Sequence, residues 1–156
     1  MVDVGDKVPG ERRAWARAVV RFPQGVLATV LAGEGPKGAV TEIARVAGIA
    51  AAKRTADLVP LCHPLLLDWV DVEVAAQGDD ALLVDCRVRC TRATGVEMEA
   101  MVGAAIAAVT LYDMTKALDP AIAVESVVLV EKEGGKRGHW TRPGGPADAR
   151  EGRPTR

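Results

Sequence analysis

Asp113 and Lys116 stand three residues apart at the end of a long apolar stretch, and Cys62 and His63 sit side by side between Pro60 and Pro64. On a helix, that spacing turns a carboxylate and an ammonium to one face. Such a pair is either a plain surface ion pair, contributing about 0 to 1 kcal/mol, or, if apolar neighbours bury it, an acid and a base tuned for proton transfer near neutral pH. The turns before Asp113, from Ala104 to Leu111, are apolar, which favours the second reading and predicts that burial perturbs both groups. Glu99 lies on the same predicted helix at an angle about 40° away, yet roughly 21 Å distant along the axis. A small ligand cannot touch both ends within one chain. If both ends are functional, the site is completed across a subunit interface. Glu97 and Glu99 also have a plainer reading, because acids in a first helical turn favour the macrodipole.

Cys62 and His63 lie in a loop that the two prolines keep out of helical geometry. The imidazole is either a turn residue with a local hydrogen bond or a substrate contact. Adjacent residues are poor partners for one metal, and no second pair at ligand spacing exists in the sequence, so neither a metal nor a zinc-hydrolase mechanism is expected. Lys37, Lys53, Arg54, Lys116, Lys132 and Lys136 fall mostly in loops or at helix ends, and a triphosphate would need several of them. The Gly134-Gly135-Lys136 run is either a simple turn or a loop that offers N–H groups and an ammonium to phosphate. It does not match the Walker pattern of conventional NTPases.

The elements that must position these residues follow from periodicity. With 156 residues, 49% of them hydrophobic, the chain is long enough for one core. Its net charge of −1 gives no global field toward nucleic acid or an anionic membrane. The Met1–Lys7 start is no signal peptide, and the run from Ala100 to Tyr112 is too short to span a bilayer, so a cytoplasmic protein is expected. Cys86 and Cys90, roughly 13 Å apart on one strand, cannot form a disulfide, and the thiols are read as reduced. Alternation predicts a strand over Arg13–Phe22, with Ala14, Ala16, Ala18 and Val20 opposite Arg13, Trp15, Arg17 and Arg21. Helical pieces follow over 24–32 and 38–57. A hairpin pairs Val70–Val74 with Val84–Cys90, a helix runs from Thr94 to about Ala117, and a last strand covers Val124–Glu131.

This order is the split βαβ pattern and predicts an α+β, ferredoxin-like domain over residues 1–140, an antiparallel four-stranded sheet packed against helices. Residues 141–156, rich in Pro, Gly and Arg, are expected to form a disordered tail. The long helix has almost no polar face across its middle. One sheet covers one side of it, so the other, smooth with Gly103 and alanines, is expected to pack against another subunit.

Four stretches, in order, are similar to one family: Ala44-Arg45-Val46-Ala47-Gly48-Ile49 with Ala52-Lys53-Arg54-Thr55; Leu58-Val59-Pro60-Leu61-Cys62-His63-Pro64-Leu65; Thr94-Gly95-Val96-Glu97-Met98-Glu99-Ala100; and Leu111-Tyr112-Asp113-Met114 with Lys116-Ala117. They resemble cyclic pyranopterin monophosphate synthases of molybdenum cofactor biosynthesis, from about Met1 to Gly138. The resemblance implies a hexamer, a trimer of dimers, with sites at a dimer interface. It implies rearrangement of a cyclised GTP derivative, (8S)-3′,8-cyclo-7,8-dihydroguanosine 5′-triphosphate, to cyclic pyranopterin monophosphate with pyrophosphate released, no cofactor, and functional coupling to the upstream radical enzyme. By matching position it implies Asp113 as catalytic acid or base with Lys116 as partner. Leu61, Cys62, His63, Met98 and Glu99 would contact substrate, and Lys37, Lys53 and Lys132 would serve as phosphate and acid–base lysines.

Glu133 and Arg137 flank the glycine loop where the family usually has Ser, and Thr115 stands where Cys is frequent. Glu133 adds negative charge beside the expected phosphate site. A competing reading is a ferredoxin-like ligand-binding oligomer without chemistry, which leaves Asp113 and Lys116 idle.

Overall fold

The structure, a computed structural model, describes residues 1–33 and 37–145. The chain runs β1 (Gly10–Arg21), α1 (Val26–Leu31), α2 (Val40–Ala52), α3 (Thr55–Leu58), β2 (Trp69–Gln77), β3 (Ala81–Arg92), α4 (Glu97–Thr115), β4 (Ala123–Glu133) and β5 (Trp140–Thr141). The strands form one sheet in the order β2-β3-β1-β4-β5, with every pairing antiparallel. The first four are the split βαβ arrangement, so the α+β, ferredoxin-like class holds.

The sheet has five strands where four are expected. The fifth is two residues long: Trp140 and Thr141 pair with Lys132 and Glu131, and the Arg142 N–H donates to the Val130 carbonyl at 2.7 Å. Thr141, expected to begin a tail, is thus tied to the sheet edge. The rest of that expectation, over residues 146–156, lies outside the described residues.

Alternation in β1 sends Ala14, Ala16, Ala18 and Val20 to one face, where they are buried with Ala100, Ala104, Ala107, Ala108 and Leu111 of α4. Small side chains on both surfaces let the helix lie close to the sheet. α4 crosses β1, β3 and β4, and α2 lies beside it over β2. A Cβ on Gly48 would stand 2.8 Å from the Gly103 carbonyl oxygen, and one on Gly103 would stand 2.5 Å from Cys86 Sγ. The two helices therefore meet backbone to backbone at a point where only hydrogen fits.

This contact corrects the expectation that Gly103 and the alanines face another subunit. Gly103, Ala100, Ala104, Ala107 and Ala108 point inward, because α2 and the sheet together wrap the side that one sheet alone would leave bare, and Ala105 stays on the outer side. The stripe left without intrachain cover is Met98, Val102, Ala105, Ile106 and Val109, all half-buried or exposed.

The opposite face of the sheet holds a second departure. Trp15, in the expected polar row of β1, is only 4% exposed. The Arg17 and Arg87 guanidinium groups lie 5.2 and 4.4 Å from its ring centroid. Its indole N–H donates to Asp85 at 2.9 Å, and Asp85 also accepts two bonds from Arg17 at 2.6 and 2.7 Å. Long guanidinium stems cover the ring without a second hydrophobic layer.

Candidate active site

Apart from Lys53, the expected site residues gather at the two ends of α4. At its C-terminal end, Asp113 bridges two cations. Lys116 Nζ lies 2.7 Å from Oδ1, and Lys37 Nζ lies 2.7 Å from Oδ2 and 3.1 Å from the Asp113 carbonyl. The i, i+3 spacing sets the first contact. The second depends on the turn before α2, which carries Lys37 across to α4 and could not be read from spacing.

Burial was expected to perturb this pair, and it does not. The Asp113 and Lys116 side chains are each 52% exposed within the chain. Hydrogen bonds from Lys116 and then Lys37 pull the Asp113 carboxyl down to about 2. The same bond to Asp113 raises Lys116. At neutral pH this end is a carboxylate locked between two ammonium groups, with a surplus of positive charge to offer an anionic ligand.

At the N-terminal end, Leu61, Cys62, His63, Met98 and Glu99 line one cavity of about 350 Å³. The Pro60–Pro64 loop holds its shape through a turn in which the Cys62 N–H donates to the Val59 carbonyl at 3.0 Å. Glu99 is 4% exposed, and burial raises its pKa. Burial first, then the charge of Glu99, raises the Cys62 thiol. His63 Nε2 donates to the Val2 carbonyl at 2.8 Å. Among the described residues no group of three or more His, Cys, Asp or Glu side chains is placed to hold a metal ion.

A second cavity of about 930 Å³ adjoins the first, sharing Lys7, Thr94, Gly95 and Glu97 with it. Lys132 lines it 3.4 Å from Glu97. The Gly134-Gly135-Lys136 loop lines it together with five basic side chains (Lys7, Arg12, Lys132, Lys136, Arg137) and four acidic ones (Asp3, Asp6, Glu97, Glu133). Gly134 is required there: its φ is +93°, and a Cβ would stand 2.3 Å from the Glu11 carbonyl. Lys53, at the C-cap of α2, lines neither cavity.

Glu97, Lys7 and Arg12 were not expected in the site. Glu97 carries a signal in hindsight, since it stands two residues before Glu99 at the start of the same helix. Lys7 carries none, because the segment before β1 has no period to place it.

The structure thus places the site residues other than Lys53 in two groups, one at each end of α4, Glu99 and Asp113 being separated by about 21 Å at the α-helical rise. The model of the family described as MoaC family matches residues 1–135. A protein of Herpetosiphon aurantiacus named cyclic pyranopterin monophosphate synthase is 52% identical over 152 residues, covering 97% of this chain and 93% of that protein. Matching a family model over most of its length and a relative over nearly all of it, with motif residues grouped at both ends of α4, the chain belongs to the MoaC family.

Proposed function

We propose that this chain is a lyase of molybdenum cofactor biosynthesis that converts (8S)-3′,8-cyclo-7,8-dihydroguanosine 5′-triphosphate to cyclic pyranopterin monophosphate and pyrophosphate. The observation that carries the reading is the 52% identity across 97% of the chain to a protein bearing that enzyme's name. The geometry supports a division of labour. Opening the imidazole-derived ring and closing the pterin require several proton transfers, and the cavity with Glu99, Cys62 and His63 offers groups that can hold or move protons. Closing the cyclic phosphate builds charge on departing pyrophosphate, and lysine ammonium groups stabilise it. In this reading Lys37 and Lys116, set by Asp113, act at the reacting centre, and Lys53 and Lys132 act on phosphate.

The site is completed by a second copy. The uncovered stripe of α4 runs through Met98, Val102, Ala105, Ile106 and Val109, and Glu99 and Asp113 flank it at opposite ends. A two-fold axis beside Ile106, the residue midway between them, lays two α4 helices antiparallel and brings Glu99 of one protomer to Asp113 of its partner. Three such dimers make the hexamer. No helix among the described residues is long and apolar enough to cross a membrane, and the proposed compartment is the cytoplasm, with coupling to the radical enzyme that supplies the cyclised nucleotide.

The direct test incubates purified chain with that cyclised nucleotide and follows pyrophosphate and pterin. Stoichiometric release of both is the expected result. An oligomer that binds the nucleotide and leaves it unchanged would establish the non-catalytic alternative.

A further inference from the structure

The segment Val2–Pro9, ahead of β1, belongs to no regular element, and apart from half-buried Val4 its residues are exposed. Its internal bonds are a turn from the Lys7 N–H to the Val4 carbonyl at 3.1 Å and one from the Gly5 N–H to Asp3 Oδ1 at 2.9 Å. It lines both cavities: Val2 and Val4 line the smaller, Asp3 and Asp6 the larger, and Lys7 both.

Two features give this strap chemical content. A carbonyl oxygen only accepts, so the 2.8 Å contact between Val2 O and His63 Nε2 puts a proton on Nε2. In the neutral ring the one lone pair then sits on Nδ1. Lys7, meanwhile, has no ion-pair partner among the described residues, whereas Lys132 pairs with Glu97, and Lys37 and Lys116 share Asp113. An unneutralised ammonium at the junction of two cavities is a ready donor to an anionic oxygen.

We propose that the Val2–Pro9 strap is a working wall of the substrate site: its Val2 carbonyl holds His63 in the Nε2–H tautomer, and its Lys7 binds a phosphate oxygen of the ligand that spans both cavities. The proposal rests on the function given above for the nature of that ligand. It makes the strap, and not only the four helix and loop motifs, part of the binding machinery.

The test uses the full chain, Lys7→Gln, Lys7→Arg and a variant lacking residues 2–5. Inorganic pyrophosphate is the probe, measured by calorimetry. Lys7→Gln is expected to weaken it about tenfold, the loss of one charge-assisted hydrogen bond, while Lys7→Arg stays within about threefold. Nitrogen NMR of labelled histidine, assigned with His139→Gln, should show His63 protonated on Nε2 in the full chain and averaged between its nitrogens in the deletion. Unchanged affinity in Lys7→Gln, absence of pyrophosphate binding by the full chain, or a His63 tautomer indifferent to the deletion each overturns the proposal. Turnover by the full chain reports separately on the function, so the two can fail independently.

Discussion

Mixing two inactive variants tests whether one site draws on two protomers. Glu99→Gln removes the buried carboxyl at one end of α4, and Asp113→Asn removes the bridge between Lys37 and Lys116 at the other. Loss of a positioned acid or base lowers turnover about 10²- to 10⁴-fold, so each homo-oligomer should be nearly silent. The two positions are about 21 Å apart along one helix, too far to share a small ligand within a chain. If each dimer carries two sites, each taking Glu99 from one protomer and Asp113 from the other, a mixed dimer has one doubly substituted site and one intact site. Random pairing at equal amounts makes half the dimers mixed, so about one quarter of wild-type sites return. Coexpression from differently tagged genes, purification of the mixture and a pyrophosphate-release assay measure this. Recovery near 25% is expected, and about the same in the fraction purified through both tags in succession, because nearly every trimer of randomly paired dimers carries both tags. Doubly tagged oligomers that stay as silent as either parent would refute the shared site and return both groups to separate roles within one protomer.

Glu99 also predicts a pH effect on stability. Burial raises its pKa in the folded chain, so the favourable state is the neutral acid, present in full below the unfolded value of about 4.5. That contribution is lost as pH rises through the folded value, and Glu99→Gln should therefore gain stability relative to wild type on going from pH 4 to pH 8. Urea midpoints at both pH values measure the gain, and a difference independent of pH would contradict it. At the α2–α4 crossing, Gly103→Ala puts a Cβ 2.5 Å from Cys86 Sγ. Overpacking of this kind costs about 1–3 kcal/mol, or about 2–4 °C of Tm per kcal/mol for a chain of this size. Adding Cys86→Ala should recover part of that loss, and strict additivity would show the contact to be unimportant. On the outer sheet face, Asp85→Ala strands Arg17 and the Trp15 indole N–H, whose bonds to Asp85 are 2.6–2.9 Å. Removing one partner of such a buried pair costs about 3–5 kcal/mol, and a denaturation midpoint within error of wild type would refute that assignment.

Much of the architecture was legible in the amino-acid order. Period two in Arg13–Phe22, the paired alternation of Val70–Val74 and Val84–Cys90 about Gly78, and the unbroken apolar run after Glu97 each specify one element, and their succession specifies the split βαβ fold. The motif residues were legible too, since Cys62-His63 between prolines and the Asp113–Lys116 spacing are local patterns. Which face of α4 is buried was not local. Its middle is apolar all round, so periodicity holds no preference, and the choice falls to Gly48 of α2, a residue remote in sequence whose missing side chain lets the two backbones meet.

Trp15 and Lys37 teach the same lesson. Trp15 is buried on a polar row because Arg17, Asp85 and Arg87, two of them from a strand about seventy residues away, close over it. Lys37 reaches Asp113 because a turn carries it there, which turns an expected buried acid–base pair into an exposed carboxylate held by two ammonium groups. Helices and strands follow from contacts between near neighbours, which one chain states in its own spacing. The charge, burial and reach of a site depend on which distant segments pack beside it, and only the folded chain decides that.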